Sequence, residues 1–241
     1  MCFTIEVHLT RKAIEKRFAA DTSALYDFDF NYFYRAFDHP LIPVITQEDP
    51  GKVQLMEWGL IPAWAGDLET ANRIRKGTYN ARAESLHEKP SFRQPFQRGR
   101  CWVIAHGFFE WQQRVQGKIP WYVRLRNDDP FAFAGLYDRW RDPVEGNLMQ
   151  TFTIITTRAN PLLEKIHNTK QRMPVILHRD NEADWINSDL SLHRSAQLLI
   201  PFPEGQLHAH TVSNRLLHAE TRPDDPAVIR PYEPPSPGKL F

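Results

Sequence analysis

The sequence predicts an α+β domain built on a curved, barrel-like, largely antiparallel sheet with short helices at its periphery. Two observations carry that prediction. Runs rich in aromatic and β-branched residues recur at 53–60, 101–112, 121–126, 131–140 and 151–157. Helical patterns, by contrast, are short and scattered, unlike the regular strand–helix alternation of a doubly wound sheet. A third observation sets the domain count: no repeat, low-complexity block or linker-like change of composition divides the body of the chain. With 41% hydrophobic and 12% aromatic residues in 241, one sizeable core can form.

Taken in order, Thr10 offers a capping hydroxyl for a helix over 11–20. The first strong strand pattern is 53–60. Residues 101–112 read as one long strand, with Cys101 as an ordinary buried cysteine inside it. Residues 118–120 and 127–130 read as turns between neighbouring antiparallel strands. Asn160-Pro161 has the cap and first-turn form of a helix reaching about residue 165. Asp180 starts another over 181–186. His208 and His210 fall on one face of a further strand. Prolines number 19 against 11 glycines, and several gather in a tail at 222–241 that lacks periodicity. The domain therefore covers 1–221, with the tail extended over it or hanging free.

Composition narrows the function. Lys and Arg total 30 against 29 Asp and Glu, a formal net charge of +1, which excludes attachment to nucleic acid by bulk charge while leaving room for a local basic groove. No apolar run approaches the roughly 18 residues of a membrane span, and the N-terminal residues lack a secretory pattern. Two cysteines, Cys2 and Cys101, are too few for a disulfide scaffold. A soluble, cytoplasmic, monomeric protein with free thiols is expected. CxxC, HExxH, Walker A and GxGxxG motifs are all missing, and His208 and His210 have no carboxylate or cysteine at ligand spacing. No metal and no organic cofactor is expected.

Four features bear on chemistry, each with an ordinary reading beside the functional one. Removal of Met1 would leave Cys2 with a free α-amine beside its thiol, a 1,2-aminothiol that condenses with an aldehyde to a five-membered thiazolidine, or attacks an acyl carbon. Any residue can also simply occupy position 2. The stretch 72–82 carries Arg73, Arg75, Lys76 and Arg82 near Tyr79, Trp58 and Trp64, a mixture of phosphate-binding charge and stackable rings suited to a single strand. It equally describes a solvated basic turn. Glu110, in GFFEW, shares a strand face with Phe108; it is either a partly desolvated acid–base group or a glutamate turned to water. His167, at the exit of a short helix near basic residues, is a proton carrier or one of ten histidines with no such task.

Together these residues resemble the SRAP family, the SOS response-associated peptidases that handle abasic sites in single-stranded DNA. The matching pieces run in family order: Met1-Cys2, the segment from Trp58 to Trp64 (WGLIPAW), Asn80-Ala81-Arg82-Ala83-Glu84-Ser85, Arg100-Cys101 leading to Gly107-Phe108-Phe109-Glu110-Trp111, Phe133-Ala134-Gly135-Leu136-Tyr137, Thr156-Thr157 with Ala159-Asn160, and Ile166-His167 with Arg172-Met173-Pro174. The resemblance implies the SRAP fold and an abasic-site sensor that joins itself to single-stranded DNA in the response to DNA damage. Cys2 would form the thiazolidine with the ring-opened sugar, Asn80 would hydrogen-bond beside Cys2, Glu110 would position the amine and shuttle protons, and His167 would assist opening of the sugar ring. Arg82 would meet the phosphate beside the lesion, while Trp58 and Pro40 would pack where bases splay apart. The adduct's fate, slow reversal or strand cleavage, stays open, as do two alternatives: a thiol peptidase of the N-terminal nucleophile type and a non-catalytic single-strand binding module. The family commonly begins Met-Cys-Gly-Arg, whereas Phe3 and Thr4 follow Cys2 here, and Phe37-Asp38-His39-Pro40 stands where an Asn-x-Ala-Pro segment is usual. Arg11, Arg73 or Arg75 would then stand in for the absent arginine.

Overall fold

The computed structural model describes residues 2–115 and 117–234. The first part of the chain forms β1 (Thr4–Glu6), α1 (Arg11–Phe18), β2 (Tyr34–Arg35), β3 (Leu41–Thr46) and β4 (Val53–Trp58). The middle forms α2 (Leu68–Arg75), β5 (Asn80–Arg82), α3 (Pro90–Arg98), β6 (Arg100–Ala105), β7 (Gly107–Arg114), β8 (Gly117–Leu125) and β9 (Phe131–Arg141). The last part forms β10 (Leu148–Arg158), α4 (Pro161–Ile166), β11 (Arg172–Pro174), α5 (Arg179–Trp185), α6 (Leu192–Gln197) and β12 (Leu207–Thr211).

Five strands close a ring. β4, β3, β6, β9 and β10 pair antiparallel in that order, and β10 returns to β4 by a short parallel pairing, Thr151 opposite Glu57. Beyond that contact β10 runs on past the ring, taking β5 on one side and β11 on the other. A second antiparallel sheet has the order β12-β8-β7-β1-β2. The α+β class and the curved, barrel-like sheet are as the strand pattern predicts.

Alternation along the ring strands sorts two apolar sets. Val44, Met56, Val103, Phe133 and Phe152 join one buried cluster, which continues through Cys2, Ile5 and Phe108 into the second sheet. Their neighbours Ile45, Trp102, Ile104, Ala134 and Ile155 join another, covered by Phe18 of α1, Phe92 and Phe96 of α3 and Trp185 of α5. The helices are capped as the sequence suggests: Thr10 Oγ1 accepts from Ala13 N–H at 3.1 Å, and Asn160 Oδ1 accepts from Leu163 N–H at 2.8 Å.

Four expectations need correction. Residues 101–112 are two strands, β6 in the ring and β7 in the second sheet, because the chain crosses between sheets at His106. Gly107 permits the crossing: a Cβ there would lie 2.4 Å from the Tyr122 ring. Residues 118–120 are in β8, where Lys118 pairs with Gln113 and the Pro120 carbonyl still accepts from Val212 N–H at 3.0 Å. β7 and β8 pair as far as Arg114 opposite Gly117, whose φ of +125° suits glycine. Residues 127–130 do form a turn, but it links β8 to β9 in different sheets. The helix expected from 181 begins at Arg179, with Asp180 in its first turn. Of the tail, residues 222–234 lie against the body: Tyr32 N–H donates to Pro223 O, Tyr232 N–H to Thr211 O, and Val228 is buried with Phe33, Phe109 and Tyr122. Residues 235–241 lie outside the described ones.

Candidate functional site

Cys2 lies at the entry to β1 and is fully buried. β1 is pinned between β2 and β7, with Ile5 opposite Phe108, so the residues around Cys2 are fixed by two neighbouring strands. The Cys2 carbonyl accepts a hydrogen bond from Asn80 Nδ2 at 2.8 Å. Asn80 starts β5, which the parallel pairing with Ile154 holds in register. Its other amide atom, Oδ1, is buried and has no hydrogen-bond partner among the described residues, leaving an acceptor next to Cys2. The Cys2 thiol sits 3.8 Å from Thr4 O. Burial, and then the negative charge of Glu110, push that thiol well above its ordinary value. Met1, whose removal the sequence reading invokes, lies outside the described residues.

Glu110 is 2% exposed on β7, opposite Trp121. Phe108, two residues earlier on the same face, belongs to the cluster that holds Cys2. Burial raises the Glu110 carboxyl above its usual range, and the nearby His167 works against that rise. His167 terminates α4 with φ −91° and ψ 54° and is 7% exposed. Its Nδ1 is 2.8 Å from the Arg172 carbonyl and 4.0 Å from Glu110 Oε2. A carbonyl only accepts, so Nδ1 carries the hydrogen and, in the neutral ring, Nε2 carries the lone pair. Arg172 is itself anchored, donating to both carboxylate oxygens of Glu84 at 3.0 and 2.9 Å and to Thr156 O at 2.6 Å. A cavity of about 210 Å³ opens beside the pair, with Phe3, Trp111, Lys118, Thr169 and Lys170 around Glu110 and His167.

The fold thus brings Cys2, Asn80, Glu110 and His167 together from four elements distant in sequence. The expected DNA contacts divide. Arg82 at the end of β5 and Arg73 on α2 are exposed. Arg75 is 5% exposed and tied to Glu57, so it offers no charge to a ligand. Trp58 also fails as a stacking surface. It is fully buried, stacks on Phe152, and donates Nε1–H to Tyr79 O at 2.9 Å. Pro40 beside it is half-buried, its carbonyl accepting from Trp58 N–H. The exposed tryptophan of the same segment is Trp64, at 51%. Arg11 is exposed on α1, beside Tyr26. Sequence reasoning, which did name Trp64 among the stackable rings, missed Phe37, 61% exposed and stacked on Phe3. The signal available for Trp64 was its place just after Pro62 in a loop, whereas Trp58 closes an alternating strand.

His208 and His210 do share a face of β12, their rings 5.5 Å apart, and His210 Nε2 meets Ile229 O at 2.8 Å. Among the described residues no group of three or more His, Cys, Asp or Glu side chains is arranged to hold a metal ion.

Residues 1–219 match the family model described as SOS response associated peptidase (SRAP). The chain is 41% identical over 176 residues to the abasic site processing protein YoqW of Bacillus subtilis, covering 72% of this chain and 75% of that one. It is 31% identical over 198 residues to the abasic site processing protein HMCES of Gallus gallus, covering 74% of this chain and 57% of that one. Among solved structures, a protein from Bacteroides thetaiotaomicron superposes with a TM-score of 0.92 at 38% identity, over 96% of this chain and 100% of the other. One from Bordetella bronchiseptica gives 0.77 at 25% identity, over 88% and 100%.

Proposed function

Because the chain belongs to the SOS response associated peptidase family, we propose that it processes abasic sites in DNA, joining itself to the lesion in single-stranded DNA through Cys2. The observation that carries this reading is the convergence of a buried 1,2-aminothiol candidate with an amide, a buried carboxyl and a histidine. The names of the relatives support it.

The chemistry starts once Met1 is removed, since an acylated nitrogen cannot close the ring. The free α-amine of Cys2 adds to the C1′ aldehyde of the opened sugar, giving a carbinolamine. Loss of its hydroxyl as water leaves an imine. The Cys2 sulfur then adds to the carbon of the protonated imine, which keeps its N–H, while the thiol proton passes to the Glu110 carboxylate, and the thiazolidine closes with one water lost overall. Glu110 suits the dehydration: burial keeps its carboxyl protonated to higher pH than usual, so it can hand a proton to the departing hydroxyl. The raised thiol needs its proton taken as it attacks, and Glu110, by then a carboxylate, is placed to receive it. His167, held by Arg172 O through Nδ1, presents Nε2 for proton transfer during opening of the sugar ring. Asn80 fixes the Cys2 backbone and offers Oδ1 to a sugar hydroxyl. Exposed Arg82 meets the neighbouring phosphate.

Intact-mass spectrometry before and after mixing with a single-stranded oligonucleotide bearing one abasic site tests this. The expected product is a chain short by one Met that has gained the oligonucleotide minus one water, and Cys2→Ala should give no adduct. A chain that loses Met1 yet never gains DNA would move the reading to a thiol peptidase. Equal, non-covalent binding of intact and abasic strands, unaffected by Cys2→Ala, would leave a binding module.

A further inference from the structure

Beside Cys2 the structure holds an aromatic assembly that the proposed chemistry does not use. Phe3, the next residue in the chain, stacks on Phe37 with ring centroids 5.0 Å apart and an interplanar angle of 29°. Tyr79, which adjoins Asn80, meets both rings edge-on, at 6.2 Å and 85° for Phe3 and at 5.3 Å and 80° for Phe37. Phe3 also borders the cavity that holds Glu110 and His167. Phe37 is therefore gripped by two neighbours of the site, yet it remains 61% exposed. Its ring stacks directly on Phe3, the residue that follows Cys2 in the chain.

We propose that Phe37, backed by Phe3, is the platform on which the base next to the abasic nucleotide stacks. An abasic site removes one stacking partner from each flanking base, so a flanking base arrives with an uncovered π-face. A fixed phenyl ring covers such a face without reading its hydrogen-bonding edge, and stacking on aromatic side chains is the sequence-tolerant way to hold single strands. This contact is a ring on a base, not a charge on a phosphate. Its contribution is accordingly insensitive to salt.

This inference rests on the abasic-site reading, and the test separates the two. Crosslinking rates at subsaturating oligonucleotide are compared for the wild type and Phe37→Ala, with 2-deoxyribose 5-phosphate as a small aldehyde control. Phe37→Ala should slow reaction with the oligonucleotide about tenfold, the order expected for one lost base–aromatic stack. It should leave the free sugar phosphate unaffected and the salt dependence of DNA binding unchanged, and Phe37→Trp should restore the rate. Separately, 2-aminopurine placed beside the lesion should be quenched by the wild type and not by Phe37→Ala, a readout that needs no covalent step. No crosslinking by the wild type would overturn the covalent reading alone, and the 2-aminopurine signal would still decide on the platform. Unchanged quenching in Phe37→Ala, or an equal loss of rate with the free sugar phosphate, would overturn the platform.

Discussion

Cys2 and Cys101 are both fully buried, and burial raises both thiols, but their neighbours differ. Cys101 faces the inside of the ring, so close to Gly135 that a Cβ added there would come within 2.9 Å of its sulfur. Cys2 instead lies within reach of the charge of Glu110 and the amide of Asn80, and Glu110 in turn is near His167. At this scale the decisive group is Glu110, whose value as an acid depends on its carboxyl staying protonated. Glu110→Gln preserves shape and removes the titrating proton, so crosslinking should slow by about 100-fold, the lower end for general acid–base catalysis. The pH dependence contributed by that carboxyl should vanish with it. Gel-based crosslinking kinetics across pH check both, and a Glu110→Gln protein of wild-type rate would remove Glu110 from the mechanism. Cys2, Glu110 and His167 could be singled out in the sequence because the chemistry of each is local, whereas Asn80 entered only through the resemblance to the family. Trp58 and Arg75 were misjudged as contacts because residue type says nothing of direction. Only packing turns Trp58 onto Phe152 and Arg75 onto Glu57.

Among the elements, α4 sets where His167 stands. The helix has six residues, fewer than two turns, too short to persist without its ends being tied. Asn160 ties the first end twice, accepting from Leu163 N–H and donating Nδ2–H to the buried Phe202 carbonyl at 2.7 Å. The other end is tied through His167 to β11, which pairs with β10 and is held there by the Arg172 bond to Thr156 O. Replacing Asn160 by Ala loses a cap and leaves a buried carbonyl unsatisfied, so it should cost about 2 kcal/mol. It should slow crosslinking as well, because the position of His167 depends on that cap. Urea denaturation measures the first and crosslinking kinetics the second; an unaltered rate in a destabilised protein would show that α4 does not position His167. The cap signals of α1 and α4 were readable in sequence. β5 and β11, three residues each, were not, since strands that short take their conformation from the β10 edge they pair with.

Across the whole molecule, the ring and the second sheet are joined where the chain crosses at His106. His106 Nδ1 lies 3.3 Å from Glu6 Oε2 and Nε2 lies 3.4 Å from Asp128 Oδ1, while Tyr122 OH also donates to Glu6. Burial alone would lower the His106 pKa, but the hydrogen bond and charge of Glu6, with Asp128 adding to them, raise it above its ordinary value. A raised folded-state pKa means the charged ring is stabilised by folding. That contribution is fully present below the unfolded value of about 6.5 and is lost as pH rises through the higher folded value. The gap in urea midpoint between wild type and His106→Gln should therefore be larger at pH 6 than at pH 8.5. An equal gap at both would show that the crossing is held by packing alone. The helices are bound to the same scaffold by Arg100, buried at the start of β6, whose guanidinium donates to the carbonyls of Phe96, Trp185 and Asn187.

The sequence by itself determined the α+β class, the main strands and the capped ends of two helices, and it singled out Cys2, Glu110 and His167 as candidates. Those follow from periodicity, capping chemistry and short motifs, all of which act over a few neighbouring residues. Tertiary structure alone decided that the strand pattern at 101–112 belongs to two sheets, that β10 closes a ring by a parallel contact with β4, that Trp58 and Arg75 turn inward, and that Phe3 and Phe37 stack beside Cys2. These depend on which surfaces meet after long loops have closed. No local pattern encodes that, because the energy selecting it comes from burial and pairing between residues far apart in the chain.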